Sequence, residues 1–85
     1  MAVVDFPNTD DIRLGRGIRR VREARGLSLA RLAIETRIDP DQLDLVEHGR
    51  ARLSSAELHA VINALHAPLE LLFATPGDLS ALRRL

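Results

Sequence analysis

The strongest constraint on the fold is the pattern of residues 27–49, which predicts two short helices joined by a tight turn. Ser28 can cap the first helix, whose inner side carries Leu32. Asp39-Pro40 places a capping residue directly before a proline, which marks the start of the second helix. Gly49 ends that helix. The turn therefore falls at residues 37–38.

The residues on either side predict three further helices and no strand of useful length. The first helix is capped by Asn8 or Thr9 and closed by Gly26. Ser54 and Glu57 have the spacing of a capping box before the fourth helix, and Pro68 can open a short fifth one. The apolar residues that recur at helical spacing, and so form the predicted core, are Leu14, Ile18, Val21, Leu43, Val46, Leu58, Val61, Ile62, Leu65, Leu69, Leu72 and Phe73.

Composition fits one small all-α domain. A chain of 85 residues with 46% hydrophobic residues can bury a single modest core. The core must be aliphatic, because Phe6 and Phe73 are the only aromatic residues. The absence of cysteine excludes disulfides and thiolate chemistry. With no signal peptide and no apolar run of about 20 residues, we expect a cytoplasmic protein without a membrane partner.

The net charge of zero conceals two oppositely charged segments. All twelve cations are arginine, and residues 12–25 hold six of them against one glutamate, a local charge of +5. Residues 39–47 hold three aspartates and one glutamate with no base, a local charge of −4. The second of the two central helices is therefore acidic.

Several independent spacings together resemble one family, the lambda-repressor/Cro-like helix-turn-helix domains, also called the XRE family. The similarity extends from about Leu14 to Phe73. It includes LGRGIRRVREARGLS, RLA, LDLVEHGR and the closing LHAVINAL and APLELLF segments. The resemblance implies a five-helix DNA-binding domain at residues 10–74, with an N-terminal arm at 1–9 and a C-terminal helical tail at 75–85.

The resemblance also implies roles for individual residues. In this family the third helix meets base edges, and the preceding helix and the loops contact phosphates. The positions that match base-reading residues are Pro40, Asp41, Gln42, Asp44 and Leu45. The positions that match phosphate contacts or lie in the turn are Ser28, Arg37, His48, Arg50 and Arg52. Arg22 and Glu47 match a pair that joins the first helix to the third through opposite charges.

Three departures from the family pattern bear on function. Leu29 replaces a glutamine that commonly touches phosphate, and Arg37 replaces a glycine in the turn, so the turn need not require a positive φ. The third helix is acidic, although Asp39 is expected to act as a cap and Glu47 to pair with Arg22. An aspartate can accept a hydrogen bond from the cytosine amino group, and a glutamine can read adenine. Gln42 is therefore the leading candidate for a base contact, with a solvated side chain as its alternative.

The two ends of the chain are the candidate dimer contacts. Their apolar residues lie outside the family motif and need a surface to cover them, either this domain or a second copy. These residues are Val3, Val4, Phe6, Leu79, Leu82 and Leu85. A homodimer would suit a pseudo-palindromic operator with half-sites about 34 Å apart or a multiple of that.

No group of residues predicts catalysis, a cofactor or a metal. His59 and His66 are seven residues apart on the fourth helix, about 10.5 Å along its axis, which is too far to share a metal ion. The sequence lacks a nucleophile with its base and a glycine-rich phosphate loop. We therefore expect a dimeric regulator of transcription that binds double-stranded DNA. The alternative is a module that keeps the fold but binds a protein through its acidic third helix.

Overall fold

A computed structural model describes residues 8–73, and these residues form five α-helices without a strand. The helices are α1 (Thr9–Ala24), α2 (Leu29–Thr36), α3 (Pro40–Glu47), α4 (Ser55–Leu65) and α5 (Leu69–Phe73). The predicted all-α, five-helix fold is confirmed. The six candidate dimer residues lie outside the described residues, as do most of the predicted arm and tail. Within residues 8–73, no helix has the length and apolarity needed to cross a membrane.

Short polar side chains begin the first four helices by accepting from backbone N–H groups. Asn8, rather than Thr9, caps α1, and it forms a reciprocal capping box with Asp11 through two hydrogen bonds of 2.9 Å. Ser54 and Glu57 form the predicted box before α4. The predicted caps of α2 and α3 are also present: the hydroxyl of Ser28 and the carboxylate of Asp39 each accept from a backbone N–H of the first turn.

The turn between α2 and α3 differs from the sequence prediction. Arg37 has φ +59°, in the left-handed region, although an arginine at this position indicated that the turn need not require a positive φ. The positive φ is needed because the chain reverses direction directly after Thr36, and the buried Ile38 then enters the core. A left-handed residue provides that reversal, at a cost of about 1 kcal/mol when the residue carries a Cβ.

The core lies where α1 packs against α3, α4 and α5, and where α2 packs against α3 and α4. Its fully buried side chains, all aliphatic, are Ile18, Leu32, Leu43, Val46, Val61, Leu65 and Leu72. Two glycines of α1 permit close helix contact. A Cβ on Gly15 would overlap the carbonyl oxygen of Val46 in α3, and one on Gly17 would overlap that of Leu72 in α5. These glycines fix the distance of α1 from α3 and from α5.

Candidate functional site

The outward face of α3 is formed by residues that lie opposite its buried side. Leu43, Val46 and Glu47 are buried, and successive residues turn by about 100° around the helix axis. Asp41 and Leu45 therefore point away from the core, in line with His48 just after the helix. All three are exposed, including 45% of the Leu45 surface. Here "outer face" means these three residues together with the exposed Pro40 and Asp44, which flank them.

Gln42 does not belong to this outer face. It is half-buried on the flank of α3 that faces α4. Its Nε2 donates a hydrogen bond of 3.2 Å to Oε2 of Glu57. The sequence placed Gln42 among the base-edge candidates, whereas the structure places it at the contact between two helices.

The C-terminal end of α3 is joined to α1 by an ion pair with two hydrogen bonds, as the family resemblance implied. Nε and Nη2 of Arg22 donate to the two carboxylate oxygens of Glu47, at 2.7 and 3.0 Å. Nη1 of Arg22 donates to the carbonyl oxygen of Leu27 at 2.7 Å. The hydrogen bonds to Glu47 raise the pKa of Arg22 above its ordinary value, against the opposing effect of burial. Glu47 is only 4% exposed, so its charge is committed to the interior.

Two of the four acids of α3 and its cap therefore have intramolecular roles. Glu47 pairs with Arg22, and Asp39 accepts from the N–H of Asp41 at 2.8 Å. The two that remain on the outer face are Asp41 and Asp44. A ligand of the outer face therefore meets Asp41 and Asp44 directly, whereas the charge of Glu47 is compensated in the interior by Arg22.

His48 makes its contacts within one turn of α3. Its Nδ1 lies 2.8 Å from the carbonyl oxygen of Asp44 and 3.4 Å from a carboxylate oxygen of the same residue. The shorter contact requires a proton on Nδ1, because a carbonyl oxygen can only accept a hydrogen bond. These two residues line a shallow depression of about 300 Å³ together with Leu45 and Arg50. The depression joins the outer face to the loop after α3, which carries Arg50 and Arg52.

The two arginines of the loop after α3 have different surroundings. Arg50 is exposed, and its backbone N–H donates to the carbonyl oxygen of Leu45 at 2.8 Å, which fixes the chain as it leaves α3. Nε of Arg52 lies 3.1 Å from a carboxylate oxygen of Asp11, an oxygen that also accepts from the capping N–H of Asn8. Arg52 thus connects the loop to the start of α1. A phosphate that binds Arg52 would have to compete with this contact.

The remaining phosphate candidates are exposed near the turn. Ser28 is exposed at the start of α2, and its Oγ accepts from the N–H of Arg31 at 3.0 Å. Arg37 is exposed at the turn. Its left-handed backbone turns the chain, so that the next residue, Ile38, enters the core.

Three arginines, two in α1 and Arg25 directly after it, have structural roles. Arg13 donates to the carbonyl oxygen of Phe73 and lies 5.7 Å from the centre of its ring. Arg25 donates to the carbonyl oxygen of His66, which closes α4 with φ +52°. Arg19 pairs with Glu23 at 3.6 Å, one turn later. Only this last pair has a signal in the sequence, an arginine and a glutamate four residues apart.

Among residues 8–73, no three histidine, aspartate or glutamate side chains lie close enough together to hold a metal ion.

The model of the helix-turn-helix domain family matches residues 13–73. A comparison with curated proteins gave no match. Among solved structures, the restriction-modification controller protein C.AhdI from Aeromonas hydrophila is 29% identical, with a TM-score of 0.71 over 78% of this chain and 100% of that one.

The clp gene regulator ClgR from Corynebacterium glutamicum is similar in two crystal structures. One is 33% identical, with a TM-score of 0.71 over 78% of this chain and 86% of that one. The other is 29% identical, with a TM-score of 0.75 over 92% and 83% of the two chains.

Proposed function

Because the chain belongs to the helix-turn-helix domain family, of the lambda-repressor/Cro or XRE type, we propose that it is a cytoplasmic, sequence-specific regulator of transcription that binds a pseudo-palindromic operator as a homodimer. The outer face of α3 carries this proposal. It offers a stripe of exposed side chains on a helix that is fixed from behind by Gly15 and by the ion pair of Arg22 with Glu47. Family members place this helix in the major groove.

Within that proposal, the outer face meets base edges, and exposed basic and polar groups around it meet phosphates. Arg50 and His48 are exposed directly beside Leu45, and Ser28 and Arg37 are exposed at the two ends of α2. Asp41 and Asp44 each cost about 1 kcal/mol near phosphates when partly exposed. Arg50, Arg52 and the start of α2 offset that cost. Asp41 recovers part of it by accepting from a cytosine amino group.

The length of the reading helix supports the proposed dimer. The eight residues of α3 extend for about 12 Å, which corresponds to some four base pairs of duplex. Such a short contact specifies little sequence, so two copies on adjacent half-sites are needed for a selective operator. Val3, Val4, Phe6, Leu79, Leu82 and Leu85 remain the proposed dimer contacts.

Selection from random duplex DNA, followed by titration at several salt concentrations, tests this function. We expect a palindromic consensus and an affinity that falls linearly in log–log form with salt. Arg50→Ala should reduce the magnitude of that slope by about one, because one phosphate contact is lost. Arg19→Ala is the matched control, because Arg19 is exposed and pairs with Glu23 on α1, and it should leave the slope unchanged.

The second candidate is a protein-binding module of the same fold, and the exposed Leu45 next to Asp41 and Asp44 favours it. An apolar side chain flanked by acids suits a partner with an apolar pocket and a basic rim. If no duplex is enriched and none binds at low salt, the DNA proposal is wrong and this candidate replaces it. Binding of DNA by a strict monomer would remove only the homodimer.

A further inference from the structure

We infer that Gln42 is a positioning residue, which locks the reading helix α3 to the start of α4 through Glu57, and that it does not itself read a base. This inference rests on the proposed DNA-binding function for its consequence, but the lock is a property of the folded chain. It reverses the expectation from sequence, which made Gln42 the leading candidate for an adenine contact.

The first support is the double use of the Glu57 carboxylate. Oε1 of Glu57 accepts from the backbone N–H of Ser54 at 2.8 Å, within the capping box of α4. Its other oxygen, Oε2, accepts from Nε2 of Gln42 at 3.2 Å. One carboxylate therefore fixes the first turn of α4 and the flank of α3 at once. Gln42 and Glu57 are 15 residues apart, so their contact closes the loop that carries Arg50 and Arg52.

The second support is that the chemistry allows only one orientation of the amide. A carboxylate can only accept hydrogen bonds, so the amide nitrogen must face Glu57 and the amide oxygen must point away. Glutamine reads adenine by using its oxygen and its nitrogen together, in one plane, against two atoms of the base. At Gln42 the nitrogen is held to the side by α4, whereas Asp41 and Leu45 point outward from the same helix.

The third support is the position of the lock relative to the other contacts of α3. The C-terminal end of α3 is fixed to α1 by the ion pair of Arg22 with Glu47, and Gly15 allows the close approach of the two helices. Those contacts lie at the C-terminal end of α3. Gln42 lies in the first turn of α3, so its bond to Glu57 adds a contact with α4 at the other end of the helix. We expect this contact to help set the angle of the outer face relative to the loop that carries Arg50.

The first test measures DNA binding with variants of the full chain. With the operator selected by the wild-type protein and a set of its single-base variants, we expect Gln42→Ala to weaken every complex by a similar factor of about three to ten. The ranking of the bases should stay unchanged. Asp41→Ala is the matched control from the outer face, and it should change the preference at one base pair. A change of preference at a single base pair in Gln42→Ala would overturn the inference.

A reversed pair of residues provides the rescue. Gln42→Glu alone places two carboxylates against each other and should weaken binding further. Adding Glu57→Gln restores the hydrogen bond with its direction reversed, and a glutamine still completes the capping box with Ser54. We expect the double variant to recover at least threefold in affinity over Gln42→Glu, with the wild-type ranking of bases. No recovery, or a new preference for cytosine at one position, contradicts a positioning role.

A thermodynamic cycle without DNA separates the lock from the function. Unfolding of the wild-type protein, Gln42→Ala, Glu57→Ala and the double variant gives the coupling of the two residues. We expect the effect of Gln42→Ala to become smaller once Glu57 is absent. Zero coupling removes the inference whatever the DNA result is. Failure of the wild-type protein to select any duplex removes the proposed function and leaves the lock to be judged by this cycle.

Discussion

The inner and outer faces of α3 lie on one short helix of eight residues, yet different forces determine their residues. On the inner face, Leu43 and Val46 are buried, and Gly15 allows α1 to approach the backbone of Val46 closely. Glu47 is paired with Arg22 in the interior. On the outer face, Asp41 and Leu45 are exposed. Packing and desolvation fix the first set, and only a binding partner can fix the second. Substitutions on the inner face should therefore change stability, and those on the outer face should change binding alone.

The largest expected effect comes from Gly15→Ala. In an isolated helix this change stabilises by about 1 kcal/mol, but here the new Cβ meets the carbonyl oxygen of Val46. We expect a loss of about 3 kcal/mol or more, because a backbone atom cannot move aside as a side chain can. Thermal unfolding followed by circular dichroism measures it. Gly26→Ala is the control, because its Cβ would meet nothing within 4 Å, and it should cost only about 1 kcal/mol for its φ of +70°.

Glu47→Ala should follow, with a loss of about 3 kcal/mol, because the largely buried charge of Arg22 would lose its counter-ion and keep only the carbonyl oxygen of Leu27. The raised pKa of Arg22 stabilises the folded state at any pH below the ordinary arginine pKa, and that stabilisation is lost only as pH rises through the higher folded value. The arginine therefore contributes no pH dependence near neutrality. Replacing both residues, as Arg22→Met with Glu47→Leu, should restore most of the stability. A double variant as unstable as Glu47→Ala would contradict this account of the pair.

A substitution in the turn between α2 and α3 should increase the stability of the protein. Arg37→Gly should stabilise the protein by about 1 kcal/mol, because the left-handed backbone no longer opposes a Cβ. Urea unfolding at equilibrium provides the measurement. If Arg37 also contacts phosphate, the same variant should bind DNA more weakly while it is more stable. Arg37→Ala separates the two effects, because it removes the cation and keeps the Cβ.

The smallest change in stability is expected on the outer face itself. Leu45→Ala and Asp44→Asn should each alter the free energy of unfolding by less than about 0.5 kcal/mol, since both sites are exposed. Their effect should appear in fluorescence-anisotropy titrations with duplex DNA, where Asp44→Asn strengthens binding at low salt by removing a negative charge. A loss of stability as large as that of Glu47→Ala would mean that the two faces are not independent.

The sequence predicted the fold well because helix signals are local. Asp39-Pro40, Ser54 with Glu57, and the glycines at positions 26 and 49 each act within one turn of the chain, so their geometry can be deduced from spacing. The sequence could not reveal the left-handed backbone of Arg37, because that conformation is imposed by the burial of Ile38 next to it.

The candidate site was less predictable because its contacts join distant residues. Gln42 meets Glu57 across 15 positions, and Arg52 meets Asp11 across the whole of the first three helices. Spacing alone could not distinguish a glutamine that faces DNA from one that faces a neighbouring helix. The resemblance to a family did identify the pair of Arg22 and Glu47, since its geometry follows from the fold itself.

The closure of α5 on α1 also constrains the order in which the domain can be made. Gly17 receives the backbone of Leu72, and Arg13 holds the carbonyl oxygen of Phe73, which is 60 residues further along the chain. Of the five described helices, α1 is synthesised first, and α5, which covers one of its sides, is synthesised last. Until residue 73 has been synthesised, that side of α1 therefore stays uncovered by α5, even if the other helices have already formed.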